Sequence, residues 1–259
     1  MDFFYKNYRD ILNALQSQGY SFQTLEQFVQ QPKEKLVILR HDVDRKPFNS
    51  LKVAQIENEM SIQSSYYFRA RNGAFENEII REVAKLGHEI GYHYENMDTC
   101  KGNTAKAYQD FCKNLEKLRA FYPVKTFCMH GSPRSPYDNK DIWKENDFTS
   151  LGLLAEPYYS IDFNKVLYIT DAGRIWNNTK SNVRDIVNAN YTFKFSSSND
   201  IIAKLNRGEL PDKIMINTHP HNWAENFPEW LFNFIFQSAK NIVKYLLIKK
   251  RKYDIKKSK

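Results

Sequence analysis

Short apolar runs rich in β-branched residues alternate with helical patterns along most of this chain, and several of the runs end abruptly in polar residues. LVIL turns into RHDVD within 36–44, TFCM at 126–129 leads into HGSPRSPYDN, and KIMIN at 213–217 leads into THPHNW. A short apolar run with polar ends fits a strand buried on both faces. Further strands are expected at 64–68, 88–92 and 166–170. Apolar spacing near 3.6 residues predicts helices over 3–18, 48–60, 75–86, 104–121 and 199–206. Strand alternating with helix implies an α/β fold, either a parallel sheet or a β/α barrel. No internal repeat and no linker divides the chain. Residues 171–200 are the least regular stretch and suggest a lid or an inserted loop.

Composition sets the remaining bounds. With 259 residues, 42% of them hydrophobic, the chain can bury one sizeable core without a disulfide or structural metal. Any metal is therefore expected at a catalytic site. Cys100, Cys112 and Cys128 form no close pair, which suits reduced thiols. The net charge of +8 has one source: residues 240–259 carry nine Lys or Arg against Asp254 alone, leaving residues 1–239 neutral. A neutral body does not suit nucleic acid, and none is expected as a partner. The charge pattern suggests a main domain over 1–239 and a basic tail over 240–259. The opening residues lack a basic segment followed by an unbroken apolar one, so the expectation is a cytoplasmic protein.

All six histidines (His41, His88, His93, His130, His219 and His221) sit at or just beyond expected strands. Reactive groups in parallel α/β proteins gather at the carboxyl ends of strands, where the loops surround one crevice. Alternation along a strand would set Arg40, Asp42 and Asp44 on one face and His41 and Val43 on the other. Two such close carboxylates repel unless a cation lies between them or one takes a proton. A divalent ion near Arg40 meets that need, with Asp44 as an oxygen ligand, His93 as a nitrogen ligand and Asp42 left as a base toward an acidified water. Helix capping or simple pairing with Arg40 is the plainer alternative for the two aspartates.

The ordered set HDVD, GHEIGYH, HGSPRSPYDN and INTHPHNW resembles the polysaccharide deacetylase family, also described as the NodB homology domain or carbohydrate esterase family 4. Within it, the chain looks like the branch associated with surface-polysaccharide biosynthesis, of lipopolysaccharide or capsule. The resemblance implies an irregular (β/α) barrel, a single domain ending in a basic helix, with a metal-dependent N-deacetylase site. Carried over by position, it implies Asp42 as the catalytic base, Asp44 and His93 as metal ligands, Arg134 as the arginine that holds the base, and His219 as the general acid. A divalent ion, zinc in the first instance, is the implied cofactor.

One position departs from the family. Its second metal histidine should stand four residues after His93, where this chain has Met97, and a thioether is a poor ligand for zinc. His130 is the better replacement, with Glu95 and His221 as alternatives. His88 reads as a buried strand histidine paired with Glu89 or backbone. Arg40, Arg69, Arg174 and Trp176 are the expected substrate contacts, because aromatic faces suit sugar rings and arginine suits phosphate or carboxylate. The leading expectation is a hydrolase that removes an N-acyl group from a sugar. A sugar-binding protein without catalysis is the alternative that Met97 suggests. Residues 228–248 read as a closing barrel helix whose basic end could make a peripheral contact with the inner face of a membrane.

Overall fold

The computed structural model of the chain describes residues 1–132, 135–177, 187 and 189–257. Helix α1 (Tyr5–Ser17) buries Tyr8, Ile11, Leu12 and Leu15 on one face. The turn after it uses Gly19 at φ +78°, a left-handed conformation that costs glycine little. Strand β1 (Ser21–Gln23) and helix α2 (Leu25–Gln30) follow in a stretch with no clear periodicity. Thr24 caps α2, accepting a hydrogen bond from the Gln27 amide while the Gln27 side chain accepts from the Thr24 amide.

Strand β2 (Leu36–Val43) is buried along all eight residues. The chain then alternates through α3 (Pro47–Glu59), β3 (Ser65–Phe68), α4 (Asn77–Lys85), β4 (Glu89–Tyr94), α5 (Asn96–Thr99), α6 (Thr104–Arg119), β5 (Phe127–Met129), α7 (Pro157–Ser160), β6 (Leu167–Thr170), α8 (Ser198–Asn206), β7 (Lys213–Thr218) and α9 (Phe227–Lys257). Each expected strand lies within two residues of an observed one. Helix α9 runs unbroken past residue 240, where charge alone suggests a boundary. The lid expected over 171–200 falls partly on 178–186 and 188, outside the described residues.

The seven strands form one curled parallel sheet, a β/α half-barrel in the order β5-β4-β3-β2-β7-β6. Along one edge of β2, β1 pairs with Leu36–Ile38 and β3 takes over from Arg40. Because every pairing is parallel, all carboxyl ends lie at the same end of the sheet. The alternation of β2 separates two cores. Val37 and Leu39 join the large cluster that packs the helices, whereas Leu36 and Ile38 join Tyr67, Cys128, Tyr168 and Met215 in a smaller one. Gly91 serves that close packing: a β-carbon there would collide with the ring of Tyr67.

The same alternation sorts the polar end of β2. His41, in step with Val37 and Leu39, turns to the helix side, where its Nε2 lies 2.7 Å from Glu57 Oε1 and its Nδ1 2.7 Å from Thr218 Oγ1. Tyr8, Ser64 and Tyr66 also donate to the Glu57 carboxylate. His88 belongs to this group as well. It donates from Nε2 to the Ala54 carbonyl and stands beside Ser64 and Glu57, so its acidic neighbour is Glu57 rather than Glu89. Burial pushes the Glu57 pKa up, but the charge and hydrogen bond of His41, with help from His88 and Ser64, outweigh it and hold the carboxyl at about 2.

Candidate metal centre

Arg40 and Asp42, in step with Leu36 and Ile38, point the other way, into a cleft of about 310 Å³ at the carboxyl ends of the strands. Arg40 grips Asp42 with two parallel hydrogen bonds, Nε to Oδ1 at 2.9 Å and Nη2 to Oδ2 at 2.7 Å. From β7, the Asn217 amide adds a third, at 3.1 Å to Oδ2. Burial opposes the Asp42 charge, yet Arg40, then His93 and His219, overcome it and bring the pKa down to about 2. The carboxylate is thus ionised and its orientation fixed.

Just beyond β2, Asp44 Oδ1 stands 3.5 Å from His93 Nε2 and 3.4 Å from His130 Nε2, and it makes no hydrogen bond although buried. Ligand atoms of these three residues all lie within 4.8 Å of one another. Ligands held at about 2.0–2.1 Å from a tetrahedral zinc ion stand about 3.3 Å apart, so the two contacts of Asp44 have the spacing of groups that share an ion. The imidazoles are prepared for that role. His93 donates from Nδ1 to the Cys128 carbonyl at 3.0 Å, which leaves the lone pair on Nε2 facing Asp44. Burial, opposed only in part by Asp44, pushes His130 down to about 4, so its ring is neutral at physiological pH. Its Nδ1 faces Glu95 Oε2 at 3.5 Å, and Arg69 in turn holds Glu95. The donor set, one carboxylate and two imidazoles, fits a divalent ion with a further position left for water or substrate.

Met97 plays no part in this set. It is buried in the hydrophobic core on α5, with its amide donating to Asn139 Oδ1. His130, at the end of β5, is the residue that the structure sets beside Asp44 and His93. Of the alternatives, Glu95 is occupied by Arg69, and His221 lines the cleft with a buried Nδ1 that has no hydrogen-bond partner.

Across the cleft, His219 follows β7. Its Nδ1 lies 2.6 Å from Asp171 Oδ1, which also accepts from the His219 amide at 2.9 Å. Trp223 Nε1 and the Asn222 side chain complete the setting of Asp171. Burial favours the neutral ring, but the hydrogen bond and charge of Asp171, followed by Asp44 and Asp42, prevail and raise the His219 pKa to about 9. At neutral pH, His219 is a cation with Nε2 free to donate a proton.

The expected substrate contacts divide. Arg40 and Arg69 line the cleft, each already engaged by a carboxylate. Arg174 and Trp176 do not line it. Arg174 donates to the Trp230 carbonyl and lies over the Phe3 and Trp230 rings, while Trp176 is buried against Phe3 and Trp223 with Nε1 bonded to Asp2 and Ser198. Their place is in the seam between the amino terminus and α9, because Arg174 adopts a left-handed turn (φ +61°) that folds the loop back toward the chain's start. Arg134 lies outside the described residues. Sequence reasoning missed Asp171, Asn217 and Glu95 as supports. Asp171 and Asn217 were visible as polar residues at the ends of apolar strands, whereas Glu95 takes its role only from the approach of Arg69.

No protein-family model matches the chain, and no curated protein matches it in sequence. Solved structures do overlay it. A carbohydrate esterase family 4 pseudoenzyme from Bacillus anthracis matches at 12% identity and a TM-score of 0.45, covering 81% of this chain and 63% of that one. A carbohydrate esterase family 4 esterase from Streptococcus mutans matches at 13% identity and a TM-score of 0.48, covering 91% of each chain. A family 4 acetyl xylan esterase from Clostridium thermocellum, in complex with a cobalt ion, matches at 16% identity and a TM-score of 0.40, covering 80% of this chain and 84% of that one.

Proposed function

We propose that the protein is a metal-dependent hydrolase that removes an N-acyl group, in the first instance acetyl, from a sugar or sugar-containing intermediate of surface-polysaccharide assembly. The observation that carries this reading is the meeting of Asp44, His93 and His130 between an ionised aspartate and a cationic histidine in one cleft. Asp44, His93 and His130 would hold the ion, zinc being the first candidate. When bound, a divalent ion lowers the pKa of water and polarises an amide carbonyl.

The chain's own residues supply the rest. Asp42 accepts a proton from the attacking water. Its low pKa makes it a weak base, which suffices only where the water is already acidified. Arg40 and Asn217 hold its oxygens still, so the base does not need to reorganise during the reaction. His219, kept charged by Asp171, donates a proton to the departing nitrogen, without which an amide would expel a poor leaving group. General acid–base groups of this kind each contribute about 10²–10⁴-fold to rate. The test is acetate release from N-acetylated amino sugars by protein loaded with zinc, cobalt or manganese. Release that disappears in Asp42→Asn, while the ion stays bound, supports the proposal. Protein that binds an ion and sugar but releases no acetate would overturn it in favour of a sugar-binding role.

A further inference from the structure

Helix α9 is inside out. The residues it turns toward the body are Trp230, Asn233, Gln237 and Asn241, a spacing of three and four that defines one face. Asn233 is only 2% exposed and Gln237 5%. Polar contacts dock this face: Lys46 donates to Asn233, Asn241 donates to the Gly173 carbonyl, and Arg174 donates to the Trp230 carbonyl. The apolar side chains lie on the other side, with Phe232 and Ile235 each 60% exposed and Ile242 62%. Leu231 and Leu246 are exposed there as well. A surface helix in water shows the reverse arrangement.

We infer that α9 is a docking element for an anionic lipid surface. Charge complementarity selects this occupant. The same helix ends in the segment that carries the chain's whole net charge, nine Lys or Arg against one Asp over 240–259. A second copy of the chain would bring the same net charge of +8 to the contact, which opposes its approach. An apolar helical face beside a basic cluster is the combination that settles in the headgroup region of an anionic bilayer. No helix among the described residues is long and apolar enough to cross a membrane, so α9 lies along the surface. Gln237, Lys240 and Val243 on this helix also line the cleft, and docking therefore sets the mouth of the cleft beside the lipid headgroups. This inference is independent of the proposed chemistry.

The experiment is co-sedimentation of the full chain with vesicles of phosphatidylcholine alone and of phosphatidylcholine with one third phosphatidylglycerol. Binding to the anionic vesicles should be at least about tenfold tighter and should weaken in high salt, because screening removes the attraction of the basic segment. The triple variant Ile235→Ser, Ile242→Ser, Leu246→Ser should lose about tenfold or more of that affinity through its lost apolar area, with an unchanged circular dichroism spectrum. A second variant, with Lys249, Lys250, Arg251 and Lys252 changed to Gln, leaves the apolar face intact and should lose the preference for anionic lipid. Equal affinity for both vesicle types would overturn the inference. So would a dimer that ignores vesicles and that the triple variant splits.

Discussion

Strand β2 carries a buried polar network on each face, and the two differ in completeness. On the helix side, the Glu57 carboxylate is surrounded by donors from Tyr8, His41, Ser64 and Tyr66, and His88 and Thr218 close the edges. On the cleft side, Asp42 is equally well held, but Asp44 Oδ1, His130 Nδ1 and His221 Nδ1 are buried without hydrogen-bond partners. A closed network fixes a fold, because every charge already has its compensation. An open one keeps an energetic demand that a ligand can meet. Residues one step apart in the sequence, His41 and Asp42, thus serve opposite ends.

The largest expected effect tests the open side. Asp44→Ala should abolish both ion binding and turnover, read by metal analysis and acetate release. Asp42→Asn should lower kcat by about 10³-fold while the ion remains bound, since it removes a general base and no ligand. Loss of the ion in Asp42→Asn would erase the distinction between the two carboxylates.

The closed side should respond in stability. Glu57→Ala leaves His41 and two tyrosine hydroxyls buried without their acceptor, at a cost of about 3–5 kcal/mol in urea unfolding. The folded fraction should still bind its ion. Acid should act on the same network. The folded Glu57 pKa lies below its unfolded value, so its contribution is present above about pH 4.5 and is lost as pH falls toward about 2. His88, whose folded pKa is also lowered, mainly by burial, takes its proton more readily when unfolded, so stability should begin to decline already below about pH 6.5. A thermal midpoint that is flat from pH 7 to 3 would contradict this account.

The smallest effect concerns the far wall of the cleft. Asp171→Asn should lower kcat by about 10–100-fold, an effect of the size seen when supporting partners of site residues are removed. The alkaline limb of the rate profile, near pH 9 where His219 loses its proton, should move toward lower pH in the variant. An unmoved limb would assign Asp171 to packing alone.

Much of this arrangement is legible in the sequence because strand periodicity carries it. The alternation that buries Leu36 and Ile38 also sends Arg40 and Asp42 to the cleft, and a parallel sheet brings HDVD, GYH, MHG and NTH to one end. His130 stands at another strand end, and the structure sets its Nε2 3.4 Å from Asp44 Oδ1. What local pattern does not carry is long-range packing. Glu57 lies in a helix whose apolar face is poorly marked, so nothing along the chain shows that it is buried under His41. Trp176 and Arg174 look like groups for a sugar, but their partners, Asp2, Phe3 and Trp230, come from distant segments and draw them away from the cleft. The inverted face of α9 is hidden for the same reason, because sequence alone does not say which side meets the body.

The most direct test of the whole account is the ion content of purified protein after saturation with zinc and removal of the excess, for the unaltered chain and for His130→Ala. Grip by Asp44, His93 and His130 requires one ion per chain in the first and loss of that ion from the variant. An ion retained at full stoichiometry in His130→Ala, or none held by the unaltered chain, would contradict it.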